Sequence, residues 1–390
     1  MIDQTSTMLF ELLTRSLSVR RKVETGETAS SIGTPDRATW LALITQAEQM
    51  EVDGLAYDAV LTLPHEQQPD LEVMMRWTAN VQSVERDRLL YRQHLTTVLQ
   101  ALEQEGLSPI MLKGEVLSLL YPNALRRPVG DVDLFVPLDL QRRYVQCLKS
   151  LGGETQDEYD AKHLTVSCLD LNWELHFRSI FFYNRHTDRR YHLLESEETT
   201  EDALCHETFD GHTVKVFPPL LNQVYLTAHI QHHLLMERVT LRQIVDWMLS
   251  LHHERIALGI AEIALVRTLR QLGLYRLYRA LGYIAGQYLG FHIDDYAGLS
   301  NLTKEEAKRG EKLIANILRG HIKGCKPYTP HLPSDGFLKR VNHFIELCKR
   351  CIALHHLCPL ETLAAPFGFI RYSIKRRQWE REKEKLEVRN

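Results

Sequence analysis

Asp131 and Asp133, in the run Arg127-Pro128-Val129-Gly130-Asp131-Val132-Asp133-Leu134-Phe135-Val136, are the residues of this chain best suited to chemistry. Val132, Leu134, Phe135 and Val136 read as the end of a buried β-strand, whose alternation projects both acids onto one face. Two carboxylates this close repel, and each raises the pKa of the other. A protein that keeps both usually compensates with a hard divalent cation such as Mg2+ and its phosphate-bearing ligand. The alternative is an ordinary solvated turn, so the neighbouring motifs decide the reading.

Two further stretches supply that context. Met111-Leu112-Lys113-Gly114-Glu115 lies between the turn residues Gly106 and Pro109 and the apolar series Val116, Leu117, Leu119, Leu120 and Tyr121. It reads as a short strand, a glycine turn and a helix start, where free backbone N–H groups can meet phosphate oxygens. Gly114 lets the backbone approach a triphosphate, and Lys113 supplies a positive charge. Farther on, Leu169, Leu171, Trp173 and Leu175 alternate. This places Asp170, Asn172, Glu174 and His176 on the opposite face of one strand, so an acid there could complete a carboxylate triad.

The ordered set Leu112-Lys113-Gly114, Tyr121-Pro122, Arg127, Gly130-Asp131-Val132-Asp133-Leu134 and Trp173-Glu174-Leu175-His176 resembles the uncharacterised nucleotidyltransferase family of the DNA polymerase β-like superfamily. The resemblance runs from the Trp40 region to the Asp246 region. It implies an α+β fold, with a small mixed sheet core and flanking helices, preceded and followed by helical segments. It also implies that Asp131 and Asp133 bind Mg2+ or Mn2+ and that Glu174 is the third carboxylate, with Asp170 as second choice. Two such ions would bridge the triphosphate and the acceptor hydroxyl, and Glu174 could take the acceptor proton. Lys113, Gly114, Arg127, Gly130, His176, His229, Arg242 and Asp246 are the expected nucleotide-binding residues. Arg127 has two open readings, balancing the phosphates or forming a salt bridge at a loop edge. His163 and His176 either orient the nucleotide or an acid, or are satisfied structural groups.

The elements that must position these residues are legible in outline. Residues 1–105 read as a helical N-terminal region, 106–218 as the α/β core, and 219–390 as a helical C-terminal domain. Residues 1 to about 20 form a short helix, and the polar run from Glu24 to Asp36 reads as a loop. Beyond Pro219 the helical pattern breaks at Gly259, between Gly320 and Pro333, and between Pro359 and Gly368. His229, His232 and His233 share a helix face, either as metal ligands or with His229 facing the cleft or the core. Cys348, Cys351, His355, His356 and Cys358 invite a zinc reading, but Phe344, Leu347, Cys348, Cys351, Ile352 and His355 follow one helical stripe and are taken as core. The mixed charges from Arg371 to Asn390 read as a solvated helix.

Composition narrows the class. At 390 residues, with 44% of them hydrophobic, the chain has the material for two or three cored domains. A formal net charge of −3 gives no excess of positive charge, which disfavours a polymerase acting on long duplexes. No apolar run reaches the roughly 18 residues of a membrane span, and no leader pattern opens the chain, so a cytoplasmic protein without membrane contact is expected. Seven cysteines then read as reduced thiols. The expected activity is metal-dependent transfer of a nucleoside monophosphate from an NTP to a hydroxyl on a small molecule or protein, releasing pyrophosphate. The rivals are a catalytically inactive fold serving as nucleotide sensor or partner-binding protein, and a metal hydrolase with water as acceptor.

Overall fold

The computed structural model describes residues 2–18, 33–156, 162–326 and 337–387. Four helices lead in: α1 (Gln4–Ser18), α2 (Arg37–Gln49), α3 (Asp53–Val60) and α4 (Leu71–Gln104). The polar run expected to form a loop lies mostly outside the described residues. At its end Asp36 caps α2 by accepting from the Thr39 N–H.

Seven strands follow: β1 (Ile110–Met111), β2 (Val132–Phe135), β3 (Glu154–Thr155), β4 (His163–Cys168), β5 (Leu171–His176), β6 (Cys205–Phe209) and β7 (His212–Val216). They form one mixed sheet in the order β3-β4-β5-β2-β1-β7-β6. Interleaved with them are α5 (Gly114–Ser118), α6 (Gln141–Ser150) and α7 (Arg185–Glu198). Beyond β7 the chain is helical through α8 (Pro219–Met236), α9 (Leu241–His253), α10 (Glu262–Gln271), α11 (Tyr275–Leu289), α12 (Lys304–Arg319), α13 (Phe337–Leu354) and α14 (Pro359–Glu387). This is the expected α+β arrangement of a mixed sheet with flanking helices.

Strand alternation decides which residues reach the site. Val132 and Leu134 of β2 and Trp173 and Leu175 of β5 share a core with Leu95 and Val98 of α4 and Tyr144 and Leu148 of α6. The residues between them face the other way. Phe135 accordingly meets Phe217 with ring centroids 5.6 Å apart. The opposite core is larger and joins both ends of the chain. Leu9, Leu12 and Leu13 of α1 belong to it together with Leu277 and Leu281 of α11. Phe10 lies 4.9 Å from Tyr288 between ring centroids, and the Thr14 hydroxyl donates to the Tyr288 carbonyl at 3.3 Å.

Two expectations need correction. Asp170 is not on the strand that carries Glu174. It is exposed, with φ of 57°, in the turn between β4 and β5, and Leu169 beside it has φ of 51°. A two-residue hairpin needs left-handed backbone at both positions, and Asp tolerates it. The expected break from Pro359 to Gly368 is also absent, because α14 runs through it. Pro359 opens the helix, where a missing N–H costs nothing. Gly368 allows close packing, since a Cβ there would lie 2.1 Å from the Tyr183 ring. At Gly259 the expected break is present, with φ of 70° at the end of a π-helical turn over Glu254–Leu258.

That turn buries Glu254 to 3% exposure, where it accepts from Asn222 Nδ2 at 2.6 Å and Ser250 Oγ at 3.1 Å. Burial pushes its pKa up to about 8, opposed only in part by hydrogen bonds from Asn222, Gln223 and Ser250. The folded chain therefore holds this proton while the unfolded chain releases it near the ordinary glutamate value. Stability falls as pH rises from the unfolded pKa towards 8. Glu254→Gln should lack this slope, so it should gain roughly 2–4 kcal/mol relative to the wild type between pH 5 and pH 8. Urea unfolding of both proteins at the two pH values measures it, and parallel pH profiles would refute it.

Candidate active site

The Lys113-Gly114 turn sets one wall of the site. Lys113 has φ of 41° and ψ of −136°, and Gly114 has φ of 54°. The lysine conformation costs on the order of 1–3 kcal/mol and persists only where the surroundings fix it. The following residue is held hard. Glu115 is fully buried, with Arg88 Nη2 at 2.6 Å from Oε2 and Arg92 Nη2 at 2.6 Å from Oε1. Both arginines come from α4, so the long lead-in helix clamps the turn. The Lys113 ammonium reaches Asp133 Oδ1 at 3.1 Å and lies 3.4 Å from His229 Nε2.

The acids come from adjacent parallel strands. Asp133 pairs in register with Glu174, and Phe135 with His176. Asp131 sits just before β2, exposed at the rim, while Asp133 within the strand is 7% exposed. His176 Nε2 lies 3.0 Å from Asp133 Oδ1 and 3.0 Å from Glu174 Oε2. Burial opposes the charge on Asp133, but Lys113 and His176 outweigh it and hold its pKa below the usual carboxylate range. Glu174 is lowered too, since the His176 hydrogen bond overcomes burial. Burial alone would lower His176, but its bonds to Asp133 and Glu174 raise it. Asp131 goes the other way. Partial desolvation and the charge of Glu174 raise its pKa, with Asp133 adding to the effect. Asn172 and Lys113 offset this rise only in part, so Asp131 is the least compensated acid of the row.

Helices α8 and α9 close the other side. A cleft of about 270 Å³ is lined by the acids Asp131, Asp133 and Glu174 and by the cations Lys113, Lys162 and Arg242. Gly114, Gly130, Arg127, His229 and Asp246 line it as well, so every expected site residue except His176 borders one space. His176 lies behind the acids at 1% exposure. Burial first, and then the nearby Lys113 ammonium, hold the pKa of His229 well below its ordinary value. Its Nε2 lies 2.9 Å from His233 Nε2, and His233 Nδ1 is 2.6 Å from Glu237 Oε2.

The α8 histidines form this chain rather than a three-histidine metal cluster. Among the described residues the one convergent group of metal-ligating type is His163, Glu174 and His176. The cysteine stripe of α13 contributes none, and Cys351 and Cys358 are buried thiols.

The two readings of Arg127 separate clearly. Its guanidinium is 2% exposed and grips Asp246 in a forked pair, Nε to Oδ1 at 2.7 Å and Nη2 to Oδ2 at 2.8 Å. Tyr121 donates to the same Oδ1 at 2.7 Å. Arg242, one turn earlier on α9, makes only a longer ion pair with Asp246 at 3.8 Å and donates to Glu51 at 2.8 Å. Arg127 is therefore a buried structural cation joining the Asp-x-Asp loop to α9, and Arg242 is the more accessible charge.

Sequence reasoning missed Lys162, Glu237 and Gln243 as cleft residues, and Glu51 as the partner of Arg242. Lys162, Glu237 and Glu51 sit in no local pattern that distinguishes them from solvated side chains, whereas Gln243 closes the Thr240-x-x-Gln243 capping box of α9. Glu115 did carry a signal, an acid set between apolar helix positions directly after the glycine turn.

A family model described as an uncharacterised nucleotidyltransferase matches residues 36–290, well over half of the chain and spanning every residue of the cleft. No curated protein and no solved structure gives a match.

Proposed function

We propose that this chain, which belongs to the uncharacterised nucleotidyltransferase family, moves a nucleoside monophosphate from an NTP to a hydroxyl acceptor with release of pyrophosphate. The observation that carries the reading is the convergence of Asp131, Asp133 and Glu174 on one cleft that also bears Lys113, Lys162 and Arg242, with Lys113 3.1 Å from Asp133. An all-oxygen donor set with unbalanced charge at Asp131 fits a hard cation, Mg2+ or Mn2+. Asp131, Asp133 and Glu174 would hold it. When bound, such an ion neutralises developing charge on the transferring phosphoryl group.

The chain's own residues supply the rest. Lys113, fixed by its strained turn and by Asp133, presents a point charge to phosphate oxygens. Gly114 keeps the backbone beside it bare. His176 holds Asp133 and Glu174 in place through one ring nitrogen, so both carboxylates stay ionised at neutral pH. Arg242 and Lys162 provide further positive charge in the cleft, suited to the remaining phosphates or to an anionic acceptor. Glu174 or the neutral His229 is placed to accept the hydroxyl proton.

Binding tests this reading before any acceptor is known. ATP, GTP, CTP and UTP are offered with Mg2+ or Mn2+ to the wild type and to an Asp131→Ala, Asp133→Ala double variant. One nucleotide should stabilise the wild type alone and only with metal, by about 2.7 kcal/mol at 100 times its Kd. Thermal shift reads this as a few degrees. Equal shifts in both proteins would remove the acids from the reaction, and no shift with any nucleotide would favour a partner-binding role.

A further inference from the structure

Glu174 has two different neighbourhoods. On the cleft side it joins Asp131 and Asp133, an oxygen-only set. On the other side stand two imidazoles that do not line the cleft, His163 from β4 and His176 from β5. The hairpin register places His163 opposite His176 and Thr165 opposite Glu174, so the two rings and the carboxylate share one face. Their ring centroids are 4.8 Å apart.

We infer that His163, His176 and Glu174 form a second cation site, selective for a borderline ion of the Zn2+ class over Mg2+. The distances carry this. A four-coordinate zinc with bonds of about 2.0–2.1 Å needs its ligand atoms roughly 3.3 Å apart. His176 Nε2 is 3.0 Å from Glu174 Oε2, and His163 Nε2 is 3.6 Å from Glu174 Oε1. All three ligand atoms lie within 4.8 Å of one another, so a movement of at most about 1.5 Å closes the set.

The hydrogen bonding points the same way. His176 Nε2 offers a single proton to two carboxylates, Asp133 and Glu174, both at 3.0 Å. A divalent ion at that point would satisfy both acids together. Two imidazoles and a carboxylate are a donor set that Zn2+ accepts and Mg2+, which demands oxygen, does not. Against the ion stand the positive charges of Lys162 and Lys113, while Asp133 and Glu174 supply two negative charges beside it. Because the site needs no nucleotide, it stands apart from the transfer reading. Its consequence for that reading is inhibition, since an ion held here withdraws Glu174 from the oxygen set.

The test uses the full chain, stripped of metal and then loaded with Zn2+ in excess Mg2+. The wild type should retain about one equivalent more zinc than His163→Ala, and Asp131→Ala should match the wild type. Co2+ loaded in the same way should give a four-coordinate spectrum without a thiolate charge-transfer band, which separates this site from the cysteines. Unfolding curves in metal-free buffer establish that His163→Ala is folded, and His163→Gln replaces it if it is not. Equal zinc retention in the wild type and the His163 variant overturns the site, as does loss of zinc in Asp131→Ala.

Discussion

Asp133→Asn should abolish nucleotidyl transfer while leaving the chain folded. The carboxylate is 7% exposed, bonded to His176 at 3.0 Å and paired with Lys113 at 3.1 Å, and it faces the cleft in register with Glu174. Asparagine keeps the shape and loses the charge, which removes a cation ligand and leaves Lys113 without its anion. Metal-held charge stabilisation is worth several kcal/mol in a transition state, so transfer should fall by about 1,000-fold or more. Stability should fall by only about 1–3 kcal/mol, because an asparagine Oδ1 can still accept from His176, which also keeps its bond to Glu174. The measurement is transfer of label from α-phosphate-labelled NTPs to acceptors in a cell extract, with unfolding curves alongside. Activity within tenfold of the wild type would exclude Asp133 from the chemistry.

Asp246→Ala should be among the most destabilising single changes in the chain, by roughly 3–5 kcal/mol. Asp246 is buried and holds the buried Arg127 through two charge-assisted hydrogen bonds, with Tyr121 as a third donor. Its own pKa is lowered because Arg127 outweighs the cost of burial. Removing the acid strands a guanidinium that is 2% exposed, which no water can rescue without opening the fold. Replacing both partners, Arg127→Met with Asp246→Leu, should cost much less than the sum of the single losses. Urea denaturation at neutral pH reads all of these. A loss below about 1 kcal/mol for Asp246→Ala would mean that Arg127 finds another partner, which would reopen its phosphate-binding reading.

The parts of the site that obey short-range rules were legible in the sequence. Asp-x-Asp with alternating apolar neighbours gave a strand with acids on one side, and Lys113-Gly114 gave a turn between strand and helix. The alternation through Trp173 and Leu175 placed Glu174 and His176 together. Sequence could not show that β2 and β5 lie parallel in the register that sets Asp133 beside Glu174, because the chain between them carries no pairing code. Ion-pair partners were equally hidden. Glu51 and Arg242, or Arg127 and Asp246, are brought together only by the packing of α9 against the sheet and the lead-in helices. Asp170 was misplaced because strand alternation was continued through a hairpin turn. The run through Pro366 and Gly368 stays helical against its local signal, with Gly368 packed on the Tyr183 ring.

Helix α1 packs against α2 and α3, its near neighbours in the sequence, as well as against the distant α11. The bond from Thr14 to the Tyr288 carbonyl spans 274 residues. The entropy of closing so long a loop must be offset before such a contact forms, so α2 and α3 are expected to cover α1 early, while the shared core of Leu9, Leu12, Leu13, Leu277 and Leu281 consolidates late and slows folding.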